Sequence, residues 1–148
     1  MPGIVVGMDG SLHARQALDW AMREAAMRHA ALTVLAVNPA MASPWTRNPL
    51  AVPAGKETLL EMRQAVEEAI AKSASEMGEA QPAAVTVTVF SGFPAQALIK
   101  ASGDADLIVI GSRGAGGFES LLLGSISSQV VHHTACPVVI VPSDSRGN

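Results

Sequence analysis

The chain has 148 residues, 49% hydrophobic and 16% charged, a composition that excludes a disordered polymer and predicts one globular core. Only 3% of residues are aromatic and the formal net charge is -3, so there is neither a row of rings for base stacking nor a basic field for phosphate backbones; no nucleic-acid partner is expected. A single cysteine, Cys136, excludes an intrachain disulfide and reads as a small packed hydrophobe.

In chain order, IVVGMD (4–9) is an apolar, β-branched run too short for a helix and reads as a strand buried on both faces. Ser11 is a good N-cap for a helix from Leu12 to His29, where Ala14, Ala17, Leu18, Ala21, Met22 and Ala25 recur at helical spacing. LTVLAV (32–37) is the second strand. Residues 38–55 collect Pro39, Pro44, Pro49, Pro53 and Gly55 and read as a long flexible loop. Lys56 to Met77 is a second amphipathic helix carrying Leu59, Met62, Val66, Ala69, Ile70 and Met77 on one side, with Gly78 as its C-cap. VTVTVF (85–90) is a third strand, nearer an edge. Pro94 opens a short helix to Ala101, LIVI (107–110) is strand four, 124–133 the last helix, and VVIV (138–141) the last strand before a polar tail at 143–148.

Alternating strands and helices imply parallel strands joined by right-handed crossovers. The expected architecture is α/β: a Rossmann-like, doubly wound, five-stranded parallel sheet with helices on both faces, formed by residues 1–148 as a single domain. Such sheets hold ligands beyond the carboxyl ends of their strands, where the strand order reverses. No Lys or Arg precedes the apolar residues at the N-terminus, so a signal peptide is not expected. The longest uncharged stretch, Ala30 to Thr46, is broken by Pro39 and Pro44. No membrane partner is expected, and the protein is read as cytoplasmic.

Two strand-end loops carry chemistry. After strand four, GSRGAGGFESLLLGS (111–125) has glycines that let backbone N–H groups turn toward one point. Gly124-Ser125 then opens a helix, whose N-terminus offers free N–H donors and the positive end of a dipole. Together these can cradle a polyphosphate without a lysine, and Arg113 adds charge if it turns inward. By itself the glycine loop is also a tight α/β connection. Asp9 ends strand one in the facing loop; it can accept hydrogen bonds from a ribose diol, or cap the following helix, and the two roles can coexist. Gly7 and Met8 supply backbone and an apolar wall beside it, and Ala36-Val37 can offer backbone groups to an adenine edge. Ser127 and Ser128 are either ligand contacts or ordinary helix residues. His132 and His133, near a helix end, favour its dipole and have no partner at metal-ligand spacing, so no protein metal site is expected.

The spacing Gly111-x2-Gly114-x9-Gly124-Ser125 resembles the ATP-binding signature of the nucleotide-binding branch of the universal stress proteins. IVVGMDGS (4–11), DADLIVIGSRG (104–114) and CPVVIVP (136–142) are also similar to that family, so the likeness covers essentially the whole chain. The resemblance implies the adenine nucleotide alpha hydrolase-like fold. It also implies a ribose-binding carboxylate at Asp9, an adenine contact at Val37, and a phosphate-binding set at Gly111, Gly114, Gly124 and Ser125, with Ile126 and Ser127 beside them. Met8 stands where a smaller residue is expected against the nucleotide. A homodimer through the Val138–Val141 strand is implied likewise. ATP, AMP and cyclic AMP all remain open, with any Mg2+ arriving on the nucleotide's phosphates.

Rival functions fail on particular residues. There is no Gly-Lys pair for a P-loop, Glu119 stands where a dinucleotide fingerprint needs its third glycine, and Phe90-Ser91-Gly92 occupies the place of a phosphoacceptor aspartate. A flavin site would usually be flanked by aromatics, and these loops have almost none. Two alternatives survive: a dimeric interaction protein of the same fold without a nucleotide, and a slow ATPase. No general base is evident near the phosphate loop, so catalysis is not expected to be the main role.

Overall fold

A computed structural model describes residues 3–8, 12–39, 56–112 and 124–142. The element order is β1 (Ile4–Met8), α1 (Leu12–Arg28), β2 (Ala31–Pro39), α2 (Lys56–Met77), β3 (Ala84–Gly92), α3 (Pro94–Ala101), β4 (Leu107–Gly111), α4 (Ser125–His133) and β5 (Val138–Val141). All four strand pairings are parallel and the order is β3-β2-β1-β4-β5. The chain thus builds outward from β1 to β3, returns past β1, and finishes on the other side through β4 and β5. The expected doubly wound sheet with helices on both faces is what forms.

The strand pleat divides the core. Ile4, Val6, Leu32, Val34, Leu107 and Val109 face α1 and α2, whereas Val5, Leu35, Val37, Ile108 and Ile110 face α3 and α4. Central β1 and β4 are buried on both faces, which is why they are written as unbroken apolar runs. In α1, Ala17, Leu18, Ala21, Met22 and Ala25 are fully buried, and the small alanines let the helix lie close on the sheet. Each fully buried Leu, Ile, Val or Met contributes about 1.5–3 kcal/mol. The helix-surface pairs Arg15–Asp19 (3.2 Å), Glu24–Arg28 (2.8 Å) and Arg63–Glu67 (3.8 Å) are each worth about 0.3–0.5 kcal/mol, so the apolar faces decide the fold.

Helix ends follow local chemistry. α2 stops at Gly78, whose φ of 72° suits glycine, and the Gln81 amide donates to the carbonyls of Ala74 (3.0 Å) and Gly78 (2.9 Å). α1 ends one residue short of the expected limit. His29 adopts φ 54°, its N–H reaches the Ala26 carbonyl at 3.2 Å, and Ala30 N–H reaches Ala25 at 2.8 Å. This paired arrangement is a Schellman motif with histidine in the place glycine usually takes.

β2 and β3 run further than expected. Asn38 pairs with Ser91 and Pro39 with Gly92, because strand pairing carries on past the first turn-forming residues. The expected loop at 38–55 therefore loses its first two residues to β2, and 40–55 lie outside the described residues, as does the 143–148 tail. β3 is an edge strand among the described residues, as expected, and β5 is the other edge. Among the described residues no helix is long and apolar enough to cross a membrane.

Candidate functional site

The single reversal of strand order falls between β1 and β4, so the carboxyl ends of these two strands open on a crevice. Their register runs from Ile4↔Leu107 to Val6↔Val109, and its continuation sets Met8 beside Gly111. Val37 lies toward the same end of β2, one residue past the Met8↔Ala36 pair. Both side chains are turned into the core rather than toward solvent. Met8 packs on the α1 side and Val37 on the α3 side, at 8% and 3% exposure.

Gly7 has a packing reason of its own. A Cβ there would lie 3.0 Å from Leu98 Cδ1 and 3.5 Å from Ile110 Cγ2, so its missing side chain admits α3 onto the sheet. Asp9, Arg113 and Gly114 lie outside the described residues.

The start of α4 lies beside the end of β4. Gly124 takes the N-cap position with φ -77° and ψ 175°, and no side chain caps the helix. Ser128 N–H donates to the Gly124 carbonyl at 2.9 Å, the first bond of the helical ladder. The amides of Ser125, Ile126 and Ser127 precede that bond and have no acceptor within the helix. Ser125 is exposed at this end, Ile126 leans into the α3/α4 core, and Ser127 is 3% exposed. The uncapped turn is tied to the end of β4: Gly124 N–H donates to the Ser112 carbonyl at 2.7 Å, and Ser112 N–H to the Val141 carbonyl at 3.0 Å. Such an opening, where N–H groups without an acceptor in the helix lie at the positive end of its dipole, suits an anion.

Sequence reasoning missed what the Ser127 side chain does. Its hydroxyl donates to the Ser112 carbonyl at 2.9 Å, with the Gly124 carbonyl also within 3.2 Å. Nothing in the spacing signals this, because it depends on β4 and α4 being neighbours in space. At the other end of α4, His132 Nδ1 lies 2.7 Å from the Ser128 carbonyl. Among the described residues no three His, Cys, Asp or Glu side chains gather in a metal-binding group. Cys136 is free and half-buried, packed on the α3/α4 core.

Residues 2–142 match the model of the universal stress protein family. The chain belongs to the universal stress protein family. Universal stress protein Rv2005c of Mycobacterium tuberculosis is 34% identical over 142 residues, 96% of this chain and 48% of that one. A universal stress protein of Mycolicibacterium smegmatis is 34% identical over 149 residues, 97% of this chain and 49% of that one. This universal stress protein thus spans about half the length of the curated relatives it matches. Universal stress protein UspA from Lactobacillus plantarum shares the fold at TM-score 0.66 and 25% identity, covering 95% and 97% of the two chains. Two further solved structures contain ligands. A universal stress protein in complex with cAMP matches at TM-score 0.69 and 24% identity, over 95% of this chain and 96% of that one. One from Archaeoglobus fulgidus in complex with dAMP matches at 0.63 and 20%, over 95% and 98%.

Proposed function

We propose that this universal stress protein binds an adenine nucleotide, ATP first among them and AMP or cAMP as the alternatives, in the crevice between β1 and β4. The observation that carries the reading is the uncapped first turn of α4, opening at Gly124 and fastened to the end of β4 at the strand-order reversal. The sequence signature Gly111-x2-Gly114-x9-Gly124-Ser125 and the fold neighbours that hold cAMP and dAMP support it. In this reading the phosphates rest on the Gly111–Ser125 loop, with the amides of Ser125, Ile126 and Ser127 as donors and Arg113 as added charge. Asp9 takes the ribose hydroxyls, and the backbone at Val37 and the flank of Gly7-Met8 meet the base and sugar. Mg2+ comes with the nucleotide. The role is one of holding and reporting a nucleotide in the cytoplasm, carried by residues 1–148 as one domain.

Isothermal titration with ATP, AMP and cAMP tests it. Saturable binding to the wild-type protein is expected, with Asp9→Ala losing affinity for all three. No heat at millimolar nucleotide overturns the reading in favour of an interaction protein with an empty crevice. ATP turnover lost in Asp9→Ala with affinity intact overturns the role given to Asp9.

We also propose a homodimer through β5. Val138–Val141 is a half-buried, apolar edge strand, and an edge of this kind can pair with a second copy. Light scattering is expected to report about twice the 15.2 kDa chain mass, and a monomer at all concentrations overturns the proposal.

A further inference from the structure

We infer that Ser127 is a positioning residue for the phosphate-binding turn, acting through the carbonyls of Ser112 and Gly124 and not through its own contact with a ligand. The inference rests on the nucleotide-binding reading above and assigns one residue within it a different task.

The geometry is that of a clasp. Ser112 directly follows β4 and is 6% exposed, and its N–H is fixed by the Val141 carbonyl of β5 at 3.0 Å. Its carbonyl oxygen has two lone pairs, and two donors fill them: Gly124 N–H at 2.7 Å and the Ser127 hydroxyl at 2.9 Å. Those donors come from the N-cap and the third residue of α4, so the first turn of the helix is held at two points to one oxygen. A hydroxyl has a single proton, and here it is committed inward, with the whole residue 3% exposed. A serine placed to touch a phosphate needs its oxygen open to the crevice. Ser125, two residues earlier and exposed, has that access.

The consequence is preorganisation. The amides of Ser125 to Ser127 converge on an anion only while the first turn of α4 keeps its place over β4. Both of the clasp's hydrogen bonds join the protein's own groups, so in this inference the turn is ordered before a ligand arrives and the cost of ordering it does not fall on binding.

Amide hydrogen exchange and titration together test this, using the full chain. In ligand-free wild-type protein the Gly124 amide is expected to be protected already. A Gly124 amide that exchanges freely until ATP is added overturns the inference, and this measurement needs no variant to fold. Ser127→Ala is expected to speed Gly124 exchange in the ligand-free protein and to weaken ATP binding about tenfold, the order expected for one buried hydrogen bond. Adenosine, which lacks phosphates, is expected to bind both proteins equally, and Ser127→Thr to restore the slow exchange and the ATP affinity together. Weaker ATP binding by Ser127→Ala with Gly124 exchange unchanged would assign the hydroxyl to direct ligand contact and overturn the inference. So would unchanged ATP affinity. A wild-type protein that binds neither ATP nor adenosine defeats the functional reading instead, and is distinguished by leaving Gly124 protection as expected.

Discussion

His29 closes α1 in a backbone conformation that glycine supplies with less strain. Its φ of 54° places Cβ close to the following carbonyl, at a cost of about 1–2 kcal/mol for an L-residue, partly offset because glycine loses more freedom on folding. His29→Gly is therefore expected to stabilise the protein by about 0.5–1 kcal/mol in urea denaturation. Loss of stability on that change would mean that the imidazole contributes more than the strain costs. Gly7 has the opposite tolerance. A methyl group there meets Leu98 at 3.0 Å and 3.3 Å, and Leu98 is itself 3% exposed among core side chains with little room to retreat. Gly7→Ala is expected to cost about 1–3 kcal/mol by overpacking, read as a lowered denaturation midpoint. Neither effect is legible in the sequence. The αL turn at His29 lacks the glycine that announces such turns, and the reason for Gly7 is a leucine ninety-one residues away (98 - 7).

At the scale of elements, the strands differ in how their backbone is guarded. On β3, the Arg63 guanidinium crosses from α2 and donates to the Val87 carbonyl at 3.2 Å, so a main-chain acceptor of one edge strand is occupied. Arg63→Ala is expected to change stability by no more than about 1 kcal/mol but to increase concentration-dependent association, measured by light scattering. At β5, the carbonyls of Pro137, just before the strand, and of Val141 accept from Ile108 on β4 and from Ser112 just after it. By the alternation of the strand, Val138 and Ile140 therefore turn their backbone groups away from β4. Ile140→Pro removes an outward donor while leaving the bonds to β4, and is expected to yield a monomer whose circular dichroism is retained. A variant that stays dimeric would place the contact elsewhere. The period of the apolar residues made these elements readable: α2, α3 and β5 have the limits read from the chain, and β2, β3, β4, α1 and α4 differ by one or two residues at one or both ends. The extra residues at Asn38–Pro39 and Ser91–Gly92 belong to a long pairing that local turn propensity cannot reveal.

For the molecule as a whole, the strand order places the candidate site. With one reversal, between β1 and β4, the crevice lies where both halves of the sheet contribute an end, and a ligand held there binds the folded chain alone. ATP at a hundred times its dissociation constant should then stabilise folding by about 2.7 kcal/mol. For a chain of this size that corresponds to a rise in Tm of about 5–10 °C, measurable by calorimetry. An unshifted Tm under saturating ATP would contradict binding to the native state. The alternation of elements was enough to place the carboxyl edge of the sheet from sequence, since parallel strands with crossover helices leave few topologies. The clasp through Ser112, Gly124 and Ser127 was not, because it joins two elements that spacing does not relate.

The unequal edges also bear on how far self-association can go. A sheet with two usable rims can take on a neighbour at each and extend into a ribbon. Here one rim has a carbonyl already taken by an arginine, while β5 meets no further strand among the described residues. In the proposed dimer, two copies joined at β5 would turn their β3 rims outward. Such a pair would have its open edge spent, and a third copy would meet a rim with one acceptor already occupied.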